Sequence, residues 1–526
     1  MIGGSSASSS MPLYRRAPVV RSFGRRSLVF AAKLFLAALY GVAVVMLPPS
    51  VVWLLAVPIV VCLGVVLWML PDGGTFPLGA IQRTYSVWLV LLILWPSYIA
   101  VVLPGLPWLT PTRFTLFILT FFFLYSVSIS GVLRRRLMVV ARASKGVWIC
   151  FLLWQLTQFI SMPFSKYLSL TLTKIVDNQL SLNSIFFLGC LLFSIRGNAT
   201  RTVGWLIALA VICSLDGFLE LKLGYPPWAN HIPSFMRVDD AAMSSALGSQ
   251  ARAYDGVYRV RGPFSLSLVY AEYLALCMPF ILHWMVTGRS MLLRAAMAVA
   301  WLLVFVAIII SQSRLGQVGA LIAHVIYLLV WAYRRWKSDD SSLLGAFMLF
   351  GAPIAALMLV GVILSSHTLS NSVFGNGSSA DSDEARRIQR QMAIPKVISN
   401  PIGHGLSTSG ETLGFRSPSG FLTVDNHYIT TALDLGVLGL FSFYGMFLIA
   451  AWTGIKLFIT TADRENELAG PLGMMLLVFF VIKSVLSQEN NHTLVLLLLG
   501  MMMALCARER ALVDPDGAVT ERHERL

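Results

Sequence analysis

The sequence predicts an all-α polytopic membrane protein of about fourteen transmembrane helices. Three observations predict it. Hydrophobic residues fill 57% of the 526 positions and charged residues only 12%, about half the charged share of an ordinary soluble domain; the mean hydropathy is +0.74. Apolar runs able to cross a bilayer recur along the whole chain. The 40 Lys and Arg, against 25 Asp and Glu, concentrate in short segments on one side of the alternating runs, as positive-inside topology requires. The +15 formal charge is therefore topology information, and no nucleic-acid partner is expected. The six cysteines lie in apolar runs or at their ends without disulfide or zinc spacing, and read as small packing residues.

Residues 1–27 are Ser-rich and then basic, and lead into an apolar run at 28–47 with no small-residue cleavage site before Pro48. This reads as a retained signal anchor with a cytoplasmic basic tail, and Lys33 snorkels toward that tail. Further runs lie at 51–70, 85–103, 114–129, 147–162, 182–195 and 203–221, completing an N-terminal transmembrane bundle over 28–221. The runs at 147–162 and 182–195 are short and carry Gln155, Gln158 and Asn183. An outer loop follows at 222–261, and the span group 262–365 holds runs at 264–286, 292–311, 315–332 and 343–365. The polar segment 366–427 reads as a lid on the outer side. Runs at 428–455, 471–487 and 493–506 make the C-terminal helices of 428–506, and 507–526 is a second cytoplasmic tail. Basic segments at 134–145, 196–201, 289–294, 334–337 and 508–525 all fall on the cytoplasmic side of this count, so both termini are cytoplasmic. The cytoplasmic loops are too short to fold a nucleotide-binding domain.

Ionisable residues inside the membrane are costly and therefore informative. Asp216, Glu272 and Lys483 all fall in the outer half, where they either pair with one another or serve a site. Arg314 stands at the very short hairpin Ser311-Gln-Ser-Arg. A guanidinium there, always charged and with five donors, suits a phosphate at headgroup level. Arg259 and Arg261, in Tyr258-Arg-Val-Arg-Gly-Pro, stand where the outer loop re-enters the membrane and can supply a second fork. In the lid, acids at 381, 383 and 384 suit a helix start, Arg386 and Arg390 share a face at i, i+4 spacing, and Pro395 is expected to end or kink the helix. Pro401, Gly403 and Gly405 make a tight turn. His427, beside Asp425 and Asn426 at the water–membrane boundary, is the candidate base, since imidazole titrates near neutral pH. Outer acids such as Asp239-Asp240 lack a partnering ligand set, so neither metal nor cofactor is expected.

Four blocks in order carry a resemblance: Arg261-Gly-Pro-Phe leading into a span; Ser311-Gln-Ser-Arg314; Arg386 before Asn400-Pro-Ile-Gly-His-Gly; and Asp-Asn-His427-Tyr followed by Leu-Asp-Leu-Gly-Val-Leu-Gly-Leu. Over residues 259–440 the chain resembles the O-antigen ligase and polysaccharide polymerase superfamily. The resemblance implies a C-type glycosyltransferase bundle in a bacterial inner membrane, with its site facing the periplasm. It implies an undecaprenyl-diphosphate-linked glycan donor, a glycan acceptor, inversion at the anomeric carbon, and no metal. By position, Arg261 and Arg314 would hold the diphosphate and His427 would orient or deprotonate the acceptor. Arg259, Arg386, Arg390, Glu272 and Lys483 are candidate substrate-binding residues on the residue reading alone. Two departures stand out. Asn426 precedes His427 where the family often has Asn after His, so a register fixed on Asn426 would put Asp425 in the base position; and His404 stands between the two glycines.

The reading is a polymerase of lipid-linked repeat units making exopolysaccharide or O-antigen, with membrane lipids around it and a flippase and chain-length regulators as candidate protein partners. An O-antigen ligase acting on lipid A core is the nearest alternative. A polysaccharide flippase or transporter is the alternative from another class; it predicts charges through the full membrane depth, which the inner halves of the spans largely lack.

Overall fold

The computed structural model describes residues 76–101, 108–236, 258–338, 380–417 and 420–513, with isolated positions at 64–66, 69, 345 and 351. All that follows concerns the compact unit Leu67–Leu526. The expected spans at 28–47, 51–70 and 343–365, together with Lys33, His367 and Asp239-Asp240, lie outside the described residues.

The described chain is helical, and its β structure is limited to two isolated bridges, Val101 with Leu109 and Arg416 with Leu422. In order the helices are α1 (Leu78–Leu94), α2 (Pro111–Ile129), α3 (Gly131–Ala143), α4 (Lys145–Ser161), α5 (Leu168–Asn178), α6 (Ser184–Phe193) and α7 (Asn198–Leu223). Then come α8 (Ser267–Thr287), α9 (Met291–Ile310), α10 (Arg314–Ser338), α11 (Ala380–Ser399), α12 (Ser409–Leu413), α13 (His427–Thr460), α14 (Ala469–Ile482) and α15 (His492–Val513). Eight segments among the described residues are long and apolar enough to cross a membrane: α2, α4 with its 3-10 extension, α5–α6, and α7, α8, α9, α10 and α13; α1 and α14 are shorter apolar helices. This is a polytopic membrane protein.

Local chemistry sets the helix ends. Thr110 caps α2 by accepting from Arg113 N at 3.1 Å, with Pro111 at the first helical position, and Ser290 caps α9 by accepting from Leu293 N at 3.1 Å. Gly224, at φ 75°, ends α7 in the left-handed conformation.

Two expectations change. The span expected at 182–195 is a longer one, 168–193, in which α5 runs through a π-turn at Gln179–Asn183 into α6. The polar side chains that made this region look weak satisfy one another: Gln155 bonds Asn183 at 2.7 Å and accepts from Gln179 at 2.9 Å, and Asn178 donates to Gln158 at 3.3 Å. Interhelical amide bonds of this kind replace water inside a bundle. Pro395 does not end α11, which continues to Ser399.

The bundle is organised around α8, whose span is 83% buried, whereas α9 beside it is 22% buried and faces outward. α8 packs on α7, α9, α10 and α14. α10 comes close because Gly316 faces Ala271, leaving no room for a Cβ. Contacts gather the basic segments at one end of the bundle. Arg508 lies 3.0 Å from Glu465 and 3.9 Å from Asp463, which also pairs with Arg196; Arg334 is 2.8 Å from Glu467, and Arg510 donates to the Arg142 carbonyl at 3.3 Å. The lid, the 165–178 region and the 483–491 segment meet at the other end.

The lid is locked to α13 by a matched pair of irregularities. Gly436 (φ 72°, ψ −172°) interrupts α13 and frees backbone groups that the Asn400–Gly405 turn takes up. His404 N donates to Leu433 O at 2.8 Å, Gly405 N to Asp434 O at 3.0 Å, and Val437 N to Pro401 O at 3.0 Å. A Cβ at Gly436 would strike the Pro401 carbonyl, and one at Gly403 (φ 103°) would strike the Asp434 carbonyl. Ala393, Leu413, Val424 and Leu433 form a small core beneath α11, and Lys396 Nζ holds the α12 carbonyls of Thr412 and Leu413 at 2.5 and 3.1 Å.

Candidate functional site

Asn426 is the N-cap of α13: its side chain accepts from Tyr428 N at 2.8 Å and Ile429 N at 3.2 Å. Capping fixes the start of the helix and sets His427 on its first turn. His427 is buried, at 4% exposure, with the lid residue Leu406 and Glu489 of the 483–491 segment beside it. Its backbone N–H donates to Lys483 O at 3.1 Å. Nδ1 lies 2.6 Å from the Tyr444 hydroxyl and 3.1 Å from Thr431 Oγ1. Nε2 faces Glu489 Oε1 at 3.8 Å, and the His492 ring stands edge-on at 4.7 Å between centroids.

Glu489 is the residue that sequence reasoning missed. Its other carboxylate oxygen takes Lys174 Nζ at 2.7 Å. Burial opposes its charge, but Lys174 and the two imidazoles outweigh burial and hold the carboxyl well below the usual range. An ionised Glu489 can only accept, so the arrangement favours a proton on Nε2 of His427 with Nδ1 accepting from Tyr444. Behind this group Lys483 and Glu272 form a fully buried pair at 2.9 Å. Asn491 Nδ2 donates to Glu272 Oε2 at 2.8 Å, and Lys483 Nζ to Gln488 O at 2.6 Å. Glu272 and Lys483 thus meet each other, one of the two alternatives open from the sequence.

A cavity of about 20 Å³ adjoins His427, Thr430, Asp434, Glu489 and the lid residue Leu406; that is room for about one water. His427, Glu489 and His492 each bring one ligand-type atom within 4.8 Å of the others. Lys174 already supplies a cation to Glu489.

Asp425 and the lid helix are tied together: Gln389 Nε2 donates to Asp425 Oδ2 at 3.2 Å, and Asp425 N donates to Gln389 Oε1 at 2.9 Å. Asp425 therefore bridges to α11 in this state, two residues from His427. Arg386 is half-buried on α11 and Arg390 is exposed.

Arg261 is fully buried beside another carboxylate missed from sequence, Glu220 at the end of α7. The guanidinium Nε lies 3.8 Å from Glu220 Oε1. Glu220 also accepts from the Tyr258 hydroxyl at 2.7 Å and from the backbone N–H groups of Arg261 and Gly262 at 3.2 and 2.6 Å. The Tyr258 hydroxyl is pushed up by burial and by its bond to Glu220. Arg259, next to Tyr258, is half-buried. Arg314 begins α10 after a three-residue turn in which Gln312 adopts φ 52° and Ser311 Oγ accepts from Ser313 N at 3.2 Å, so the arginine is held at a rigid corner. Beside Pro263 and Phe264 a cavity of about 330 Å³ opens, lined also by Trp95, Trp108, Arg113 and Asn490. Asn490 joins this cavity to the 489–491 segment that carries Glu489.

The signal for Glu489 and Lys174 was present but mute: both fell in segments expected on the outer side, with nothing local to say that they meet. Glu220 lies inside the apolar run 203–221, with nothing local to say that it meets Arg261.

The family model Wzy_C, O-antigen ligase, matches residues 298–444, from the middle of α9 through Tyr444, the partner of His427. No curated protein matches the chain. The match takes in Arg314, the lid, Asn426 and His427, so residues 298–444 of this membrane protein match the Wzy_C O-antigen ligase domain, whose family comprises glycosyltransferases, ligases and polymerases alike, that use lipid-linked donors.

Proposed function

We propose that the protein is a periplasm-facing polymerase that joins undecaprenyl-diphosphate-linked repeat units into exopolysaccharide or O-antigen, inverting and without a metal. The observation that carries this reading is the chain Lys174–Glu489–His427, half-buried at its first two members and buried at the imidazole, at the same end as the lid and the Arg261 motif. In the reaction an acceptor hydroxyl attacks the anomeric carbon from the face opposite the diphosphate. The glycosidic bond forms as the carbon–oxygen bond to the diphosphate breaks, and the hydroxyl proton passes to Nδ1 of His427, the nitrogen that carries none, as Tyr444 gives up its hydrogen bond there. Glu489 balances the imidazolium that results. Arg261 and Arg314 stabilise the charge that builds on the departing diphosphate, where water is scarce. The one-water cavity implies that the lid turn at Leu406 shifts to admit the acceptor.

The same proposal keeps the finer architecture: about fourteen spans in the domain order set out above, a C-type glycosyltransferase bundle, a periplasmic lid over 366–427 and both termini in the cytoplasm. Arg259, Arg386, Arg390 and the Glu272–Lys483 pair are its substrate-side support. Asp425 remains the alternative base, released from Gln389 when the lid moves. Flippase and chain-length regulator proteins are the proposed partners.

The family description favours a second reading, transfer of finished glycan by a ligase. Deleting the gene and resolving the surface glycan on a gel separates the two. A product of single repeats supports the polymerase; long glycan stranded on its carrier overturns it in favour of the ligase.

A further inference from the structure

At the basic end of the bundle, remote from His427, a cavity of about 750 Å³ opens between the start of α7, the α8–α9 turn, the end of α10 and the 461–468 segment. Five arginines line it, at 196, 289, 334, 335 and 464, against three carboxylates, Asp463, Glu465 and Glu467. All three acids are already engaged. Glu465 accepts from the N–H groups of Gly197 and Ala199 at the start of α7, at 2.9 and 3.1 Å, and pairs with Arg508 at 3.0 Å. Asp463 takes Arg196 and also caps its own segment through Glu465 N and Asn466 N, at 3.0 and 3.1 Å. Glu467 takes Arg334 at 2.8 Å, and that guanidinium also lies 4.4 Å over the Phe458 ring.

Arg289 and Arg464, by contrast, are exposed at the rim, with no ion pair or side-chain hydrogen bond among the described residues. The cavity therefore carries net positive charge. Its lining also holds the apolar and aromatic side chains of Trp284, Trp331 and Leu293. Guanidinium groups match phosphate oxygens, and tryptophans at this level sit where acyl chains meet headgroups. The volume is far more than a bare phosphate fills and falls among pockets that hold small organic ligands, about 300–1,000 Å³.

We infer that this cavity binds a phosphate-bearing anion, the headgroup of an anionic phospholipid in the leaflet at the basic end, with Arg289 and Arg464 on the phosphate and Trp284 and Trp331 along the glycerol and upper acyl chain. The site is separate from the glycan-transfer site and does not depend on the proposed reaction.

The test uses the full-length protein in nanodiscs of phosphatidylcholine alone or doped with phosphatidylglycerol, with lipid retention read by native mass spectrometry and stability by the thermal midpoint. The wild type retains phosphatidylglycerol, and the Arg289→Gln/Arg464→Gln protein loses affinity roughly fivefold for each arginine removed, as a basic residue near an anionic lipid surface contributes. Arg135→Gln/Arg136→Gln removes the same two charges from α3, outside the cavity, and behaves as wild type. Equal retention by the wild type and the Arg289→Gln/Arg464→Gln protein overturns the site, as does an equal loss in Arg135→Gln/Arg136→Gln. A third arm adds inorganic phosphate without phosphatidylglycerol. If phosphate raises the midpoint of the wild type but not of the Arg289→Gln/Arg464→Gln protein, and phosphatidylglycerol does neither, the anion site stands and its lipid source is overturned.

Discussion

Ion pairs tie both ends of the bundle, but among the described residues it is the lid end that sinks pairs completely. At the basic end Arg196–Asp463 is 72% and 11% exposed and Arg334–Glu467 is 23% and 18% exposed, and at the lid end Lys174–Glu489 is 26% and 34% exposed, so water shares these charges. At the lid end both partners of Glu272–Lys483 are at 0%, and His427 is sunk among Phe443, Tyr444 and His492. Exposed pairs contribute little and fasten loops. A charge kept in a dry interior costs several kcal/mol to desolvate unless it is well paired, so the fully buried pairs are the ones most sensitive to losing a partner.

The comparison is broken most directly at His427. His427→Ala is expected to lower glycan transfer from an externally presented lipid-linked donor by about 10²- to 10⁴-fold, the range of a positioned general base, with membrane insertion unchanged. Activity near wild type would refute the assignment, and a loss seen only in Asp425→Asn would move the base by two residues.

The next largest effect is on stability. Lys483→Ala leaves Glu272 buried and unpaired and is expected to cost about 3–5 kcal/mol in denaturant unfolding of the detergent-solubilised protein, whereas the double change Glu272→Gln/Lys483→Met recovers most of it. Arg334→Ala, at the wetter end, is expected to cost only about 1 kcal/mol or less. Similar losses at the two ends would remove the distinction.

A smaller effect is expected at the lid lock. Gly436→Ala forces a side chain into the left-handed region and against the Pro401 carbonyl, at about 1–3 kcal/mol of strain. Limited proteolysis should then cut the lid faster while α8 and α9 stay protected; unchanged cleavage would mean that the turn does not hold the lid.

The mildest test is acid. Glu489 is held below the ordinary glutamate value, so it contributes stability that is present above about pH 4.3 and is lost as pH falls toward its folded value. The stability difference between wild type and Glu489→Gln is therefore expected to shrink below about pH 4.3 and to be constant above it. A difference that stays flat through the acid range would show that Lys174 and the imidazoles do not hold the charge.

Much of the fold was legible because a bilayer imposes a local rule: α8, α9 and α10 begin and end near the limits of their apolar runs, and the Ser311–Ser313 turn falls where the hairpin was read. The long α5–α6 helix was not legible, since Gln155, Gln158 and Asn183 make their runs look short until they are seen bonding across to Gln179, Asn178 and one another. In the site, Arg261, Arg314 and His427 stood out by motif. Asp425 and Asn426 looked alike beside them, and only the structure distinguishes a tie to Gln389 from a helix cap.

By itself the sequence determined that this chain lives in a membrane, which segments share a side, and which motif blocks come in order, because hydropathy and charge act residue by residue against a fixed solvent. Only the tertiary structure decided that Glu489 faces His427, that Lys174 steadies Glu489, and that Asn491 reaches Glu272 across 219 positions. Those pairings are set by which helix faces pack together, and packing leaves no period in the chain to read.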